Sequence, residues 1–397
     1  MVEAQSAVAI AAPDAPVDAP TGIGASTGLF IAALFAFIAT GAALPVLPTY
    51  VHGPLHSGDI AVGIVVGSFA VTSVVCRPIA GRQADRRGRR AVLVAGSLAL
   101  ALGGLLYIFS SSVITLVLAR LMVGAGEGSV YTAGATWVVD LAPVNRRGLA
   151  LGMFGLAVWG GLSLGPVAGE LLRSSSGYDA VWILTAALPL AGAAIAVRLP
   201  EPSRPPQSGR PIPLLHFPRS ARRPAFALAL ANIGYAALAG FIVLDLRKQG
   251  IGGATVFTAF AVSVFASRLI FGRVPDRFGA RVTATGAGLV EALGLIVIAL
   301  AHSLPVALLG AIVVGAGFSM MFPSLALMVV DDVHDEHRGS AMGTFTAFFD
   351  IGVGAGGPLS GATASLAGYP AVFVLASVAA LGTAGLAAMT PRRPPEQ

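Results

Sequence analysis

The sequence contains one cysteine, one lysine and few charged side chains. Because Cys76 is the only cysteine among 397 residues, an intrachain disulfide and a cysteine-built metal site are excluded. The single lysine, Lys248, follows Arg247 instead of a glycine-rich stretch, so the chain has no Walker A loop for ATP. Only 11% of the residues are charged, whereas 55% are hydrophobic and the mean hydropathy is +0.82. A water-soluble core of this size cannot bury so much apolar surface, which indicates a protein whose solvent is lipid.

A formal net charge of +6 would indicate a nucleic-acid partner in a soluble protein. Here the basic residues fall in short gaps between apolar runs, which is typical of membrane topology, so we expect a lipid bilayer and no nucleic acid. We find no nucleophile–base pattern and therefore expect neither an enzyme nor a cofactor. The acidic and histidine residues at 331–337 are interpreted as a solvated loop, and no metal site is expected.

Twelve apolar runs are long enough to cross a bilayer as a helix, which takes about 20 residues. They cover 28–50, 58–80, 91–110, 113–138, 148–172, 178–198, 224–246, 251–271, 282–301, 304–330, 340–363 and 369–390. The predicted fold is therefore an all-α membrane protein with twelve transmembrane helices. Its predicted parts are a disordered cytoplasmic tail at 1–27, a six-helix bundle at 28–198, a cytoplasmic linker at 199–223, a second six-helix bundle at 224–390 and a cytoplasmic tail at 391–397.

Arginine residues are concentrated on one side of this arrangement, in the segments 82–90, 198–223 and 273–281. Few basic residues lie near the membrane on the other side. Because cytoplasmic loops carry the excess of basic residues, both termini are predicted to be cytoplasmic in a multi-pass plasma-membrane protein.

The two halves of the sequence form an internal repeat. Displacement by 191 residues (272 − 81 = 191) aligns GRQADRRGRR, which starts at Gly81, with GRVPDRFGAR, which starts at Gly272. Further pairs in this register are Arg77 and Arg268, Gly124 and Gly315, Asp140 and Asp331, and Tyr178 and Tyr369. The pair Gly165-Pro166 meets Gly357-Pro358 at a displacement of 192, which suggests a one-residue insertion. Two six-helix units of the same orientation are parallel repeats, between which a central site can open alternately to either side.

These motifs resemble those of the major facilitator superfamily over nearly the whole chain. GRQADRRGRR resembles the signature of that superfamily between helices 2 and 3, and the stretch from Arg120 to Gly128 resembles its helix-4 motif. Four residues of helix 5 resemble the motif of its drug/proton antiporters: Gly161, Gly165, Pro166 and Gly169. Two features depart from that branch, because Val123 replaces its usual glutamine and helix 1 carries no carboxylate. The spacing of the helix-5 residues predicts a smooth strip for close helix packing.

The loop between helices 2 and 3 is expected to form a cytoplasmic gate. Gly81 and Gly88 would allow close backbone approach and a tight turn, and Asp85 would meet the positive N-terminus of a neighbouring helix. Arg89 is expected to pair with Asp140 at the inner end of helix 4. The second copy keeps Asp276 but has alanine in place of the arginine, so its contribution to the gate should be weaker.

Ionisable residues inside apolar spans are costly in hydrocarbon and are therefore functional candidates. Asp350 and Glu127 fall near mid-membrane and are expected to carry proton coupling, although a structural hydrogen bond is the alternative for each. Arg120 lies seven residues before Glu127 on the same helix face, and about 10 Å of axial separation argues against a direct ion pair.

Other ionisable residues in the spans are interpreted as structural. Arg77 and Arg268 lie near cytoplasmic helix ends, from which their side chains could reach water. Glu291 falls in helix 9, which the resemblance places at the periphery of the bundle. Because mid-membrane carboxylates then outnumber the one arginine, Arg120, a strongly anionic substrate is disfavoured.

Aromatic, thioether and amide side chains near the centre of the spans suit an adaptable apolar pocket, although packing alone could also explain them. Together with Arg120, the predicted lining of the substrate cavity is Tyr131, Asn232, Tyr235, Phe318 and Met321.

The predicted function is proton-coupled export, by a monomer, of small lipophilic compounds that are neutral or cationic. The same fold could instead support uptake of a sugar or organic acid, or export of a lipid or siderophore. A membrane enzyme or a sensor would need catalytic groups or an added soluble domain, neither of which the sequence contains.

The predicted orientation can be tested with cysteines at Ser112 and Ser208 in a background that lacks Cys76. Ser112 should react with an impermeant thiol reagent in intact cells, whereas Ser208 should react only after permeabilisation. Equal labelling of both positions in intact cells would contradict the orientation.

Overall fold

A computed structural model of the chain describes residues 22–143, 146–201, 219–331 and 338–390, and within these ranges it contains helices and no strand. Thirteen α-helices are present in chain order. They are α1 (Gly22–Ala43), α2 (Val46–His52), α3 (Asp59–Arg87), α4 (Arg89–Ile108), α5 (Val113–Leu141), α6 (Arg147–Arg198), α7 (Arg219–Lys248), α8 (Gly253–Phe271), α9 (Val274–Phe278), α10 (Ala280–Ala299), α11 (Leu304–Asp331), α12 (Arg338–Ala367) and α13 (Tyr369–Ala388).

These helices make twelve crossings of the apolar layer, as the sequence predicted. Ten stretches meet the length and hydropathy of a membrane span, among them α6 and the combined stretch of α1 and α2. Helix α6 contains two crossings because Gly177 interrupts it with φ 83° and ψ −171°. Helix α12, with 30 residues, is the remaining crossing.

Several boundaries differ from those predicted. Helix α1 begins at Gly22, so the last six residues of the predicted tail (22–27) are helical, and α7 begins at Arg219 inside the predicted linker. Each helix extends beyond its apolar run, since a helix does not need hydrophobic side chains outside the bilayer. The rest of the predicted tails and linker, at 1–21, 202–218 and 391–397, lies outside the described residues.

The predicted loop GRQADRRGRR is also largely helical. Gly81 lies inside α3, and a Cβ atom there would make only an ordinary contact of 3.7 Å with Thr132. Of the two glycines predicted to form the turn, Gly88 does so, with a φ of 114° that residues with a side chain rarely adopt.

Backbone conformation confirms the repeat of 191 residues. Gly88 has φ 114° and ψ 144°, and its counterpart Gly279 has φ 87° and ψ 143°. Gly177 and Gly368 likewise share φ values of 83° and 82°. The four glycines thus turn the chain at equivalent points of the two halves.

Helix packing shows that this register continues through the α6 and α12 crossings. A Cβ atom on Gly161 would lie 2.8 Å from the amide nitrogen of Ile38 in α1, and one on Gly352 would clash with the backbone of Ala229 in α7. The two glycines are 191 residues apart (352 − 161), and so are the two residues that they contact (229 − 38). The insertion suggested by the two Gly-Pro pairs is therefore not present at this point.

The helix-5 motif lies along the interface between α6 and α1. Cβ atoms on Gly161, Gly165 and Gly169 would all come closer than 3 Å to α1 backbone atoms, and Pro166 is buried in the same strip. Small residues here bring the two backbones into contact, as the sequence predicted.

A second glycine contact joins the two halves. Helix α3 of the first half packs against α12 of the second, and a Cβ atom on Gly67 would lie 2.7 Å from the carbonyl oxygen of Gly354. One turn away, Gly63 and Gly357 approach each other in the same way. At the end of this interface the Tyr369 hydroxyl donates to Asp59 at 3.0 Å.

The packing role of the helix-5 strip predicts different effects for two substitutions on one helix. Gly165→Ala should lower the free energy of unfolding by about 1–3 kcal/mol, because its new methyl group would meet the α1 backbone at 2.6–2.7 Å. Gly155→Ala should be neutral or slightly stabilising, since nothing lies within 4 Å of a Cβ atom there. Thermal unfolding of purified protein in detergent would measure both, and equal effects would contradict the packing assignment.

Candidate functional site

A small cavity lies between the two halves. Its wall consists of Thr40, Leu44, Val66, Phe69, Arg120, Glu127, Leu162, Tyr235, Ala239, Phe349 and Val353. The volume is about 20 Å³, which is room for about one water molecule. In this conformation the cavity is therefore too small for an organic substrate.

Glu127 and Arg120 are the charged residues of the cavity wall. Glu127 is 6% exposed, and its Oε2 atom is buried without a hydrogen-bond partner among the described residues. Arg120 does not pair with it, but donates from Nε and Nη2 to the backbone carbonyls of Val65 and Val66, both at 3.1 Å. These acceptors leave Glu127 as the carboxylate with free hydrogen-bonding capacity at the cavity.

A buried ion pair connects α3 and α12 across the interface between the halves. Arg77 donates from Nε to Asp350 Oδ2 at 2.5 Å and from Nη2 to Oδ1 at 3.2 Å, and Ser73 donates to Oδ2 at 3.0 Å. The Arg77 guanidinium also lies 4.7 Å above the Tyr131 ring centroid. Asp350 is fully buried, so the charge of this carboxylate is compensated by Arg77 and not by water.

The interpretation of Arg77 as a side chain that reaches water at a helix end is therefore wrong. Arg77 is 9% exposed, because its side chain turns towards α12 instead of extending along α3. Arg268 is partly buried, and its guanidinium lies 5.0 Å from the Trp159 ring centroid instead of extending freely from the helix end. The bundle therefore holds more arginine side chains than the one counted from the sequence. The expectation that carboxylates outnumber arginine, and so disfavour an anionic substrate, no longer applies.

Two of the residues predicted to line the cavity lie on its wall, and the other four do not. Arg120 and Tyr235 lie on its wall. Phe318 lies one layer behind, with its ring stacked on Tyr235 at 5.5 Å, and Tyr131 lies beneath Arg77. Two further residues are buried elsewhere: Asn232, which donates to the Leu228 carbonyl, and Met321, in the hydrophobic cluster of α7, α11 and α12.

The predicted gate contains the expected ion pair. Arg89 donates from Nε to Asp140 at 2.9 Å and from Nη1 to Asp85 at 2.8 Å, so it joins the ends of α3, α4 and α5. Asp276 is exposed, and no ion pair is observed for it among the described residues. The contact exists in one copy of the repeat only, while its role as a gate stays a prediction.

Glu291 was predicted to be structural, and it is the other fully buried carboxylate of the bundle. It lies in α10 against Gly234 and Gly317, and neither carboxylate oxygen has a hydrogen-bond partner among the described residues. No group of three or more potential metal ligands occurs in the part of the chain that the structure describes.

Sequence reasoning missed the partner of Asp350 and much of the cavity wall. Ser73 and Phe69 lie on the same face of α3 as Arg77, one and two turns earlier in the helix. Phe349 is the residue next to Asp350 in α12. The repeat already drew attention to Arg77. The missing information was the direction of this side chain, which only the packing of α3 on α12 provides.

A model of the Major Facilitator Superfamily matches residues 29–246 and 225–397, which together cover both halves. The chain belongs to this superfamily. It is a multi-pass membrane transporter, and the twelve-helix fold in two parallel halves is the one expected from the resemblance.

Its relatives share the family over nearly their whole length. The chain is 33% identical over 354 residues to the uncharacterized MFS-type transporter STM4428 of Salmonella typhimurium, which covers 87% of this chain and 91% of the relative. It is 29% identical over 373 residues to YhhS of Escherichia coli, an uncharacterized MFS-type transporter, with 91% of each covered. The human organic anion transporter MFSD10 has the same fold, with a TM-score of 0.72, 20% identity and coverage of 93% of this chain and 100% of that one.

The buried ion pair predicts a strongly non-additive pair of substitutions. Arg77→Gln should destabilise the protein by about 3–5 kcal/mol, because it leaves the Asp350 carboxylate buried without a counter-ion. The double variant Arg77→Gln, Asp350→Asn should recover much of this loss. Unfolding in detergent would measure the cycle, with Arg173→Gln in the partly exposed pair with Glu170 as a control of small effect. Additive effects would contradict the pairing.

Proposed function

We propose that this transporter is a proton-coupled exporter of small lipophilic compounds that works by alternating access. The observation that carries this proposal is the unpaired Glu127 carboxylate on the wall of a cavity between the halves. Both termini and the arginine-rich ends of α3 and α4 face the cytoplasm in this proposal, and the membrane is the plasma membrane.

Proton binding changes the charge at the contact between the halves. The Arg77–Asp350 pair stabilises the closed arrangement of α3 against α12. A proton on Asp350 removes the negative charge and leaves a hydrogen bond from the Arg77 cation to a neutral carboxyl in place of an ion pair, so the two helices can part at lower cost. Glu127, whose carboxylate has no competing cation at hydrogen-bond distance, is the second residue that can load and release a proton.

The energy source is the transmembrane proton gradient. Its electrical part is worth about 2.3 kcal/mol per charge per 100 mV, which is enough to drive concentration of a solute. Each return of the carrier brings a proton inward, and the carboxylate that releases it to the cytoplasm is free for the next substrate.

The cavity wall supports a compound that is apolar with a polar or basic group. Phe69, Tyr235 and Phe349 supply aromatic surface, and Glu127 supplies an acceptor or a negative charge. Neutral and cationic lipophilic compounds fit this combination. MFSD10 is named as an organic anion transporter, but at 20% identity the likeness shows the fold alone and carries no argument about substrates.

The direction of transport rests on the helix-5 strip, which resembles that of drug/proton antiporters and packs closely on α1. The second candidates are uptake of a sugar or organic acid and export of a lipid or siderophore. We favour export of small molecules because the wall is predominantly apolar and contains few hydroxyl or amide groups that would bind a sugar.

Transport in proteoliposomes tests the coupling. With an imposed proton gradient, wild type should concentrate the lipophilic cation tetraphenylphosphonium. Asp350→Asn should abolish this accumulation, and Glu127→Gln should lower it at least about tenfold, while downhill exchange of the same cation continues in both. Each substitution removes a proton site and keeps the side-chain shape.

Glu170→Gln provides the matched control, because Glu170 is a carboxylate of the bundle that is already paired, with Arg173 at 2.6 Å. It should transport at the wild-type rate. Full gradient-driven accumulation by both Asp350→Asn and Glu127→Gln would disprove the coupling assignment and direct attention to Glu291 or to Asp245, a buried carboxylate near the end of α7.

A further inference from the structure

Arg268 of α8 is a cation without an acidic partner among the described residues. Its Nη2 atom donates to the Ser319 carbonyl at 3.0 Å, and its guanidinium face lies 5.0 Å from the Trp159 ring centroid. The Nε atom is buried and has no hydrogen-bond acceptor. The Nε–Nη2 edge of this guanidinium is therefore only half satisfied, because its Nε–H group is left without an acceptor.

Arg77, the counterpart of Arg268 in the other half, shows what such an arginine binds when the site is complete. Each guanidinium has an aromatic ring beneath its face, Tyr131 at 4.7 Å for Arg77 and Trp159 at 5.0 Å for Arg268. At Arg77 the Nε–Nη2 edge of the guanidinium binds a carboxylate, because both nitrogens donate to Asp350. The edge is the part of a guanidinium that binds carboxylates in a bidentate way.

The register of the repeat explains why the second arginine has no such partner. The position equivalent to Asp350 is Trp159 (350 − 191 = 159), since packing keeps the 191-residue register in this crossing. The tryptophan supplies the aromatic platform but no acceptor. Arg268 therefore has half of the Arg77 site and lacks its anion.

Arg120 shows that so small a number of acceptors is not found at every arginine of the bundle. Arg120 also lacks a carboxylate, yet two backbone carbonyls, the Tyr107 hydroxyl and the face of Phe69 surround its guanidinium. Arg268 has one carbonyl and one ring. A partly buried cation with so few acceptors favours any anion that can reach it.

We infer that Arg268 binds a carboxylate group of the transported compound, with Trp159 stacked on the guanidinium. This inference rests on the proposed export function and names a chemical group of its substrates. A row of aromatic rings connects Trp159 to the cavity. The ring centroid of Phe318 lies 5.8 Å from that of Trp159 and 5.5 Å from that of Tyr235, which is on the cavity wall. A compound with an aromatic body could extend along these rings from Arg268 towards Glu127. With an amine at the Glu127 end it would be a zwitterion, which is neutral overall.

Binding of a matched set of ligands to purified protein tests this site. The three probes share a naphthalene ring and differ in charge: 2-naphthoate, 3-(2-naphthyl)alanine and 2-naphthylmethanol. Titration calorimetry without a proton gradient should give wild type a Kd for each of the two carboxylates at least tenfold lower than for the alcohol. Arg268→Gln should remove that preference and leave the Kd of the alcohol within about twofold.

Two further variants distinguish the binding role from a folding role. Arg268→Lys keeps the charge but loses the planar fork, so it should retain part of the preference for carboxylates. Arg273→Gln, at an exposed arginine just beyond the same helix, should behave as wild type. An unchanged preference in folded Arg268→Gln, or a wild type that binds neither carboxylate more tightly than the alcohol, would overturn the inference. Because no gradient is applied, loss of proton-driven transport would count against the proposed function and not against this site.

Discussion

The buried ion pair between Arg77 and Asp350 depends on how closely two helices approach. A guanidinium and a carboxylate can compensate each other in an apolar interior only when their geometry is good and water is excluded. Glycines on α3 and α12, such as Gly67 and Gly354, allow that approach because a Cβ atom on either would meet the opposing helix. Larger residues would separate the helices, lengthen the pair and leave two desolvated charges. The glycine strip and the ion pair are thus one structural unit, which joins α3 of the first half to α12 of the second.

The two halves share their backbone but not their chemistry. The positive-φ glycines Gly88 and Gly177, and Gly161 and Gly165 of the helix-5 strip, have glycine equivalents 191 residues away, because both halves need the same turns and the same close packing. The central carboxylates do not: Asp350 corresponds to Trp159, and Glu127 corresponds to Phe318 (127 + 191 = 318). Since a proton site is needed once per cycle and not once per half, function can reside where the repeat is broken.

The sequence predicted the fold well and the site only in part. Twelve apolar runs determine twelve helices because the bilayer requires satisfied backbone groups, and the repeat determines their arrangement. Glu127 and Asp350 were found because charge in hydrocarbon is costly, and that argument is local. Arg77 was misplaced because its position along α3 is compatible with water or with α12, and only tertiary packing decides between them. The predicted loop at Gly81 failed for a similar reason, as a polar stretch can continue a helix beyond the membrane.

The cavity and the ion pair together constrain how such a carrier could move. A volume of about 20 Å³ means that no substrate enters unless the halves part, and parting must separate Arg77 from Asp350. Exposing both ions to a half-open, partly apolar interface is costly, whereas exposing one ion and a protonated carboxyl costs less. Opening of the halves therefore costs less free energy when Asp350 takes up a proton than when it stays ionised. That linkage needs no long communication path, because the group that takes up the proton lies within the contact that has to open.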